Sequence, residues 1–276
     1  MFRHIFLPLV PIILYTIVIF WPESVLSGST IALVRDAETE NIIQSYTKPL
    51  FKAAGLDPDA VRIHLVMNPQ LNAFVSRGQN IFIHTGLLSR AEQVGQVIGV
   101  IAHEIGHIAA GDLIRSAQAI EDAKALDMIT TVLGIGAGIL SKRSDVAIAS
   151  TAGAPQLGMR TFMQFSRTQE SSADQAAMRI LEKTGQSSRG LYEFMDILNN
   201  QELLSASRQD PYLRTHPLSR ERLITMEENL KTSSYTDTPY PEQLQIQHNR
   251  IRAKIIAYSS PLALVLVGHF CCRLHC

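Results

Sequence analysis

His103-Glu104-Ile105-Gly106-His107 is the segment of this 276-residue chain whose residue types and spacing could do chemistry. On a helix, two histidines four positions apart differ by about 40° around the axis and about 6 Å along it. Both imidazoles then reach one ion, and neutral imidazole suits zinc well. Glu104, about 100° round from His103, stands beside the ion rather than on it, where it can take a proton from water that the ion activates. This is the H-E-x-x-H pattern, and its chemistry is metal-assisted hydrolysis of a peptide bond. A chance match occurs in roughly one chain in a hundred of this length; here the match lies on an apolar-striped helix directly after a hairpin. Gly106 leaves room over the ion for another backbone or for substrate.

A catalytic zinc needs a third protein ligand and one open position. The spacing in Ser166–Asp174 predicts a helix on which Glu170 and Asp174, four apart, project from one face. Glu170 can bind the ion, and Asp174 can accept the outer N–H of a ligating histidine and fix its tautomer. Without the upstream motif, such a pair would read as solvated helix charge.

These side chains need elements to position them. Asp36–Ala54 reads as a helix with acidic residues in its first turn, stopped by Gly55. Val61–Met67 alternates as a strand does, and Asn72–Ser76 with Asn80–His84 form a hairpin whose turn contains Gly78. Ser89-Arg90-Ala91-Glu92 has the form of a capping box that opens the active helix. Val94, Val97, Ile98, Ile101, Ile105 and Ile108 make its buried stripe, and Gly111 stops it. His103 lies opposite Ile101, so the histidine pair faces away from the stripe. Met128–Leu140 is apolar but carries Gly134, Gly136 and Gly138, which weaken a helix. Residues 128–160 read either as a mobile or membrane-contacting excursion that could cover the cleft, or as part of the core. Glu242–Ala257 reads as a last helix. No period of 20–50 residues repeats, which excludes a solenoid.

Lysine plus arginine and aspartate plus glutamate number 25 each, so the net charge is zero. That argues against nucleic acid as a partner, because a nucleic-acid surface needs a clustered basic excess. With 46% hydrophobic residues the chain is not disordered. Ile5–Trp21 is uncharged and nearly all apolar after Arg3 and His4. Residues 1–27 therefore read as a signal peptide or an N-terminal membrane anchor, and both place the remainder outside the cytoplasm. The peptidase domain is expected over 28–257, with 258–276 an unassigned tail. All three cysteines, Cys271, Cys272 and Cys276, fall in that tail, so the body carries no disulfide framework.

Ile101-Ala102-His103-Glu104-Ile105-Gly106-His107, then Glu170-Ser171-Ser172-Ala173-Asp174, then Arg214-Thr215-His216-Pro217, together resemble the zinc peptidases that include the CAAX prenyl protease, HtpX and BepA. Asn72-Ala73-Phe74, followed by Thr85-Gly86-Leu87-Leu88, matches the strand segment before the active helix of such proteins. The resemblance covers roughly residues 35–255 and looks most like the exported BepA-like branch. It implies a minimal gluzincin fold of α+β class, mainly helical, with a small sheet or hairpin before the active helix. One zinc ion would rest on His103, His107 and Glu170, with Glu104 as base. His216 would contact or gate the site, and Arg222 falls where the family carries an arginine. The residues alone leave two further readings open: Thr215 or His216 as the cap of a helix starting at Pro217, and Arg222 as a solvated charge or an ion pair.

The implied activity is an exported endopeptidase of the periplasm or cell envelope that cuts unfolded or misassembled envelope proteins. The alternative is a chaperone-like quality-control factor with a latent or non-catalytic zinc site. Its partners would be protein or peptide substrates, with membrane contact open. A substrate would add as a strand to an exposed edge, for which Asn80–His84 is the candidate. BepA-like proteins commonly continue into tetratricopeptide repeats that hold partners, and no such repeat is read in this chain.

Overall fold

The computed structural model describes residues 32–76, 79–141, 144–200 and 211–259. The segment read as a signal peptide or membrane anchor, Gly78 and the cysteine-bearing tail lie outside them. β1 (Leu33–Val34) leads into α1 (Ala37–Ala53). Its N-cap Asp36 accepts a hydrogen bond from the Thr39 amide at 3.3 Å, and Glu38 and Glu40 sit at the positive end of the helix dipole. Gly55 ends it with φ +76°, a conformation glycine adopts without steric cost.

β2 (Arg62–Val66), β3 (Ala73–Ser76) and β4 (Asn80–His84) follow. β3 and β4 form the expected antiparallel hairpin, while β2 pairs parallel with β4 from Arg62↔Asn80 to Val66↔His84. The sheet order is β1-β2-β4-β3. This corrects the expectation for Asn80–His84: β4 is an interior strand, paired on both sides, and cannot accept a substrate strand. A hairpin read alone does not say which of its strands takes a third partner; here β2 takes β4. Among the described residues the edge strands are β1 and β3, and β3 is the one that meets the candidate site residue His216. The His84 amide donates to Asn72 O at 3.0 Å, so alternation along the antiparallel ladder turns the peptide groups of Ala73 and Val75 outward.

α2 (Thr85–Arg90) is a short helix, and α3 (Val94–Ala110) carries the motif. The capping box expected at Ser89 is not the start of α3. Ser89 Oγ instead donates to Gly86 O inside α2, at 3.2 Å. α3 begins after Gln93, whose amide donates to Gln96 Oε1 at 3.3 Å, while the Val94 amide donates to Gln245 Oε1 at 2.8 Å. A residue 151 positions away thus satisfies a free amide at the helix start, a contact outside any local pattern. Gly111 closes α3 in the left-handed conformation, as expected (φ +69°).

α4 (Asp112–Ser141) and α5 (Ser144–Lys183) pack against each other as long helices. Within 128–160, read as either an excursion or part of the core, residues 128–141 and 144–160 are helical despite Gly134, Gly136 and Gly138. A glycine costs a helix about 1 kcal/mol, and pairing along a second helix outweighs that. α6 (Arg189–Asn199), α7 (Pro211–Thr215), α8 (Arg220–Thr232) and α9 (Glu242–Ser259) complete the described chain. The helix expected at Pro217 starts later, because Ser219 is the cap and its hydroxyl accepts from the Arg222 amide at 3.4 Å.

α3 is the centre of the core: every residue from Val94 to His107 is buried. Its apolar stripe meets α1, the sheet and α6, and its opposite face meets α5. Gly106 decides how close α5 comes. A Cβ there would lie 2.7 Å from Ala173 O and 3.1 Å from Ala173 Cα, so the room over His103 and His107 is taken by the α5 backbone. Among the described residues no single helix is long and apolar enough to cross a membrane; α3 with the first part of α4 passes that test only as a pair bent by 65°.

Candidate active site

Three packing events bring the candidate residues together. α3 presents His103, Glu104 and His107 on consecutive turns. The close approach at Gly106 sets Glu170 and Asp174 of α5 over them. α7 and α8 then close the remaining side with His216 and Arg222. All seven side chains are buried, with exposures of 0 to 6%.

His103 Nε2 and His107 Nε2 are 3.1 Å apart. The Glu170 carboxylate bridges them, with Oε2 3.3 Å from His103 Nε2 and Oε1 3.4 Å from His107 Nε2. His216 Nδ1 is 3.3 Å from both Glu170 oxygens. Donor atoms of His103, His107, Glu170 and His216 all fall within 4.8 Å of one another, a set able to hold one metal ion. Two imidazoles, a carboxylate and a further imidazole are nitrogen and oxygen donors of the kind zinc takes.

Behind the donors lies a set of buried ion pairs. His103 Nδ1 is 2.8 Å from Asp174 Oδ1. Arg222 grips Asp174 with two hydrogen bonds, from Nε at 2.5 Å and Nη2 at 2.8 Å, while its Nη1 donates to Pro217 O at 2.7 Å and lies 3.2 Å from Glu170 Oε2. Arg222 is therefore no solvated helix charge. His107 Nδ1 meets Asp112 Oδ2 at 2.7 Å, and Asp112 is held by Arg115 Nη2 at 2.5 Å and, through its backbone carbonyl, by Gln169 Nε2 at 3.2 Å. Both outer imidazole nitrogens thus face a carboxylate that fixes the ring.

Burial alone would lower the pKa of His107, but Asp112 and Glu170 outweigh it and push it up to about 10. His103 is likewise raised, Asp174 and Glu170 overcoming its desolvation. Glu170 is held well below the usual carboxylate range, because the three histidines outweigh the burial that would raise it. These carboxylates make the centre favour positive charge.

Glu104 differs from the rest. Both its oxygens are buried without a hydrogen-bond partner among the described residues, although His216 Nε2 lies 3.5 Å from Oε1. A buried carboxylate in that state calls for a polar occupant beside it, which fits a centre built for a cation and water. His216 does not cap the following helix; its amide instead donates to Tyr212 O at 2.7 Å and closes α7. Its Nε2 lies 3.2 Å from Ala73 O on the open edge of β3, and its ring stacks on Tyr212, centroids 4.4 Å apart. Tyr212 in turn meets the Phe194 ring edge-on at 5.3 Å.

Sequence reasoning did not single out Asp112 or Tyr212. Asp112 carried a weak signal, an acidic residue just past the helix-stopping Gly111; Tyr212 carried none beyond its place four residues before His216.

The model of peptidase family M48 matches residues 37–230, most of the chain. The chain belongs to peptidase family M48. The beta-barrel assembly-enhancing protease of Escherichia coli (strain K12) is 28% identical over 195 residues, covering 69% of this chain and 39% of its own length. Metalloprotease YcaL of the same strain is 26% identical over 184 residues, which is 64% of this chain and 67% of that protein. The mitochondrial metalloendopeptidase OMA1 of Schizosaccharomyces pombe is 23% identical over 184 residues, 66% of this chain and 50% of that protein. The chain thus spans about two-fifths of the length of the assembly-enhancing proteases it matches. Family M48 membership agrees with the α+β zincin fold and with the resemblance read from the motifs.

Proposed function

We propose that this chain is a zinc-dependent endopeptidase of the cell envelope that cleaves unfolded or misassembled proteins. Its zinc ligands would be His103, His107 and Glu170, and its general base Glu104. The observation that carries the reading is the pairing of a converged donor set with a buried, unpartnered carboxylate next to it. A zinc ion, when bound, supplies Lewis acidity and makes water nucleophilic at neutral pH.

The chain's own residues do the rest. The outward amide of Ala73 and the outward peptide groups of Val75 on β3 bind an extended substrate by adding it as a strand, while the Ala73 carbonyl holds His216. Only an unfolded or unpaired segment offers such a strand, which favours misassembled substrates. Glu104 accepts the proton of the attacking water at its carboxylate and returns it to the leaving amine. His216, between Glu104 and the β3 edge, donates a hydrogen bond to the carbonyl oxygen as negative charge develops on it. Asp174 and Asp112 hold the outer nitrogens of His103 and His107, with Arg222 securing Asp174.

One observation supports the second reading, a chaperone-like factor with a latent site. His216 Nδ1 lies among the four converging donors and could complete a closed coordination shell. A single comparison separates the two: digestion of reduced casein by the zinc-loaded chain and by Glu104→Gln, with metal content measured in both. The endopeptidase reading expects equal zinc, cleavage abolished by chelator, and a rate about 10²- to 10⁴-fold lower in the variant. Zinc present with no cleavage by the unaltered chain would favour the latent factor.

A further inference from the structure

A groove opens beside His107 at the junction of α3 and α4. Its apolar walls are Ile108, Gly111, Leu113, Ile114 and Ala117, and His107, Gln79, Gln118 and Glu121 supply its polar lining. Two features are unusual for a surface. Leu113 and Ile114 stand on the first turn of α4 with 38% and 80% of their area exposed. That turn is nevertheless tied to the centre, because Asp112 beside them holds His107 Nδ1 at 2.7 Å. The left-handed Gly111 turns the chain sharply enough to set these apolar side chains next to the metal-site histidine.

The groove also reaches the β3–β4 turn, at the end of β3 away from His216. β3 runs from Ala73, whose carbonyl meets His216, to Ser76, which pairs with Asn80, and Gln79 beside Asn80 lines the groove in left-handed conformation (φ +58°). A peptide added along β3 therefore runs from the Glu104 and His216 end toward the groove. Successive residues of an extended peptide point to alternate sides, so one of its side chains is delivered there.

We propose that this groove is the specificity-determining subsite, taking a large aliphatic or aromatic side chain within two residues of the cleaved bond. An apolar recess with a few polar groups at one end is the usual composition of a ligand pocket, and exposed apolar residues beside a reactive centre gain by being covered. The proposal rests on the peptide-cutting reading above and names the substrate class of that same site: strands bearing a large apolar residue, which folded proteins bury and misassembled ones expose.

The test uses the full zinc-loaded chain carrying Glu104→Gln, so that binding is read without cleavage. Fluorescence anisotropy compares a labelled glycine, serine and threonine host peptide with the same peptide bearing one leucine. The leucine peptide is expected to bind about tenfold more tightly. Ala117→Phe, which fills the groove from an exposed position, and Ile114→Asp, which makes it polar, should each bring that ratio close to one. A ratio near one in the parent protein, or a ratio that survives both substitutions, overturns the subsite. A parallel digest of the leucine peptide by the chain with Glu104 intact keeps the two proposals apart. Cuts at a fixed offset from leucine support both. Cuts without regard to leucine overturn the groove and leave the peptidase reading standing. A leucine preference in binding with no digestion supports the groove and counts against the peptidase.

Discussion

At the scale of residues, the site is a chain of charges in which each member answers for the next. Arg222 is buried and neutralised by Asp174, which also faces His103, and burial alone would raise the Asp174 carboxyl were Arg222 and His103 not there to lower it. Removing Asp174 strips one partner from a buried guanidinium and one orienting group from His103, a proposed zinc ligand. Asp174→Ala should therefore cost about 3–5 kcal/mol of stability and weaken zinc binding about 10- to 100-fold. Urea unfolding of the metal-free protein and a zinc competition titration read the two effects separately. Unchanged values in both would mean that Asp174 is a bystander. Asp112 stands in the same relation to His107, but Arg115 on its far side is half exposed and contributes correspondingly less.

At the scale of elements, the decisive contact is between two helix backbones. His103 and His107 are set four apart by α3 itself, but Glu170 reaches them only because α5 lies against the side of α3 that bears Gly106. A methyl group there would sit 2.7 Å from Ala173 O, a backbone atom that cannot move without its helix. Gly106→Ala should destabilise the protein by about 1–3 kcal/mol and lower zinc affinity, because the shift of α5 carries Glu170 and Asp174 away together. Thermal melting with and without zinc measures both. An alanine variant whose melting temperature rises on zinc addition as much as the parent's would refute the close-approach argument. β3 teaches a similar lesson: its value as an edge comes from β2 having paired with β4, not from anything in its own four residues.

At the scale of the whole molecule, α9 latches the C-terminal part of the described chain onto the start of the active helix. Gln245 accepts from the Val94 amide, and His248, fully buried, donates from Nε2 to Ala91 O at 2.7 Å. Burial, aided by Arg252, lowers the His248 pKa below 6.5 against the opposing effect of the Ala91 bond. The unfolded chain then binds the proton more readily than the folded one. The stability His248 contributes is complete above about pH 6.5 and is lost as the pH falls from there toward the folded-state value. His84 shifts the same way. Urea midpoints from pH 8 to pH 5 should therefore fall less steeply for His248→Gln, which keeps a donor and does not titrate; parallel curves for parent and variant would dismiss the latch as a pH-dependent element. Taken across these scales, what could be read directly from the chain was whatever depends on neighbours in sequence: the extent of α1, the β3–β4 hairpin, the stop at Gly111, and the placing of His103, Glu104 and His107 on one helix. Helical and strand periodicities are local, so a run of residues carries them complete. Glu170 and Asp174 could be paired by spacing and assigned to the ion once the upstream motif was read, while the destination of His216 and Arg222 came from the resemblance. The start of α3 and the interior position of β4 were decided only when segments far apart in sequence packed, whereas the Asp112–His107 and His216–Tyr212 contacts join near neighbours where α3 and α7 end. The start of α3 depends on Gln245 and the place of β4 on β2 having paired with it, and no local pattern records which distant surface the folded chain will meet.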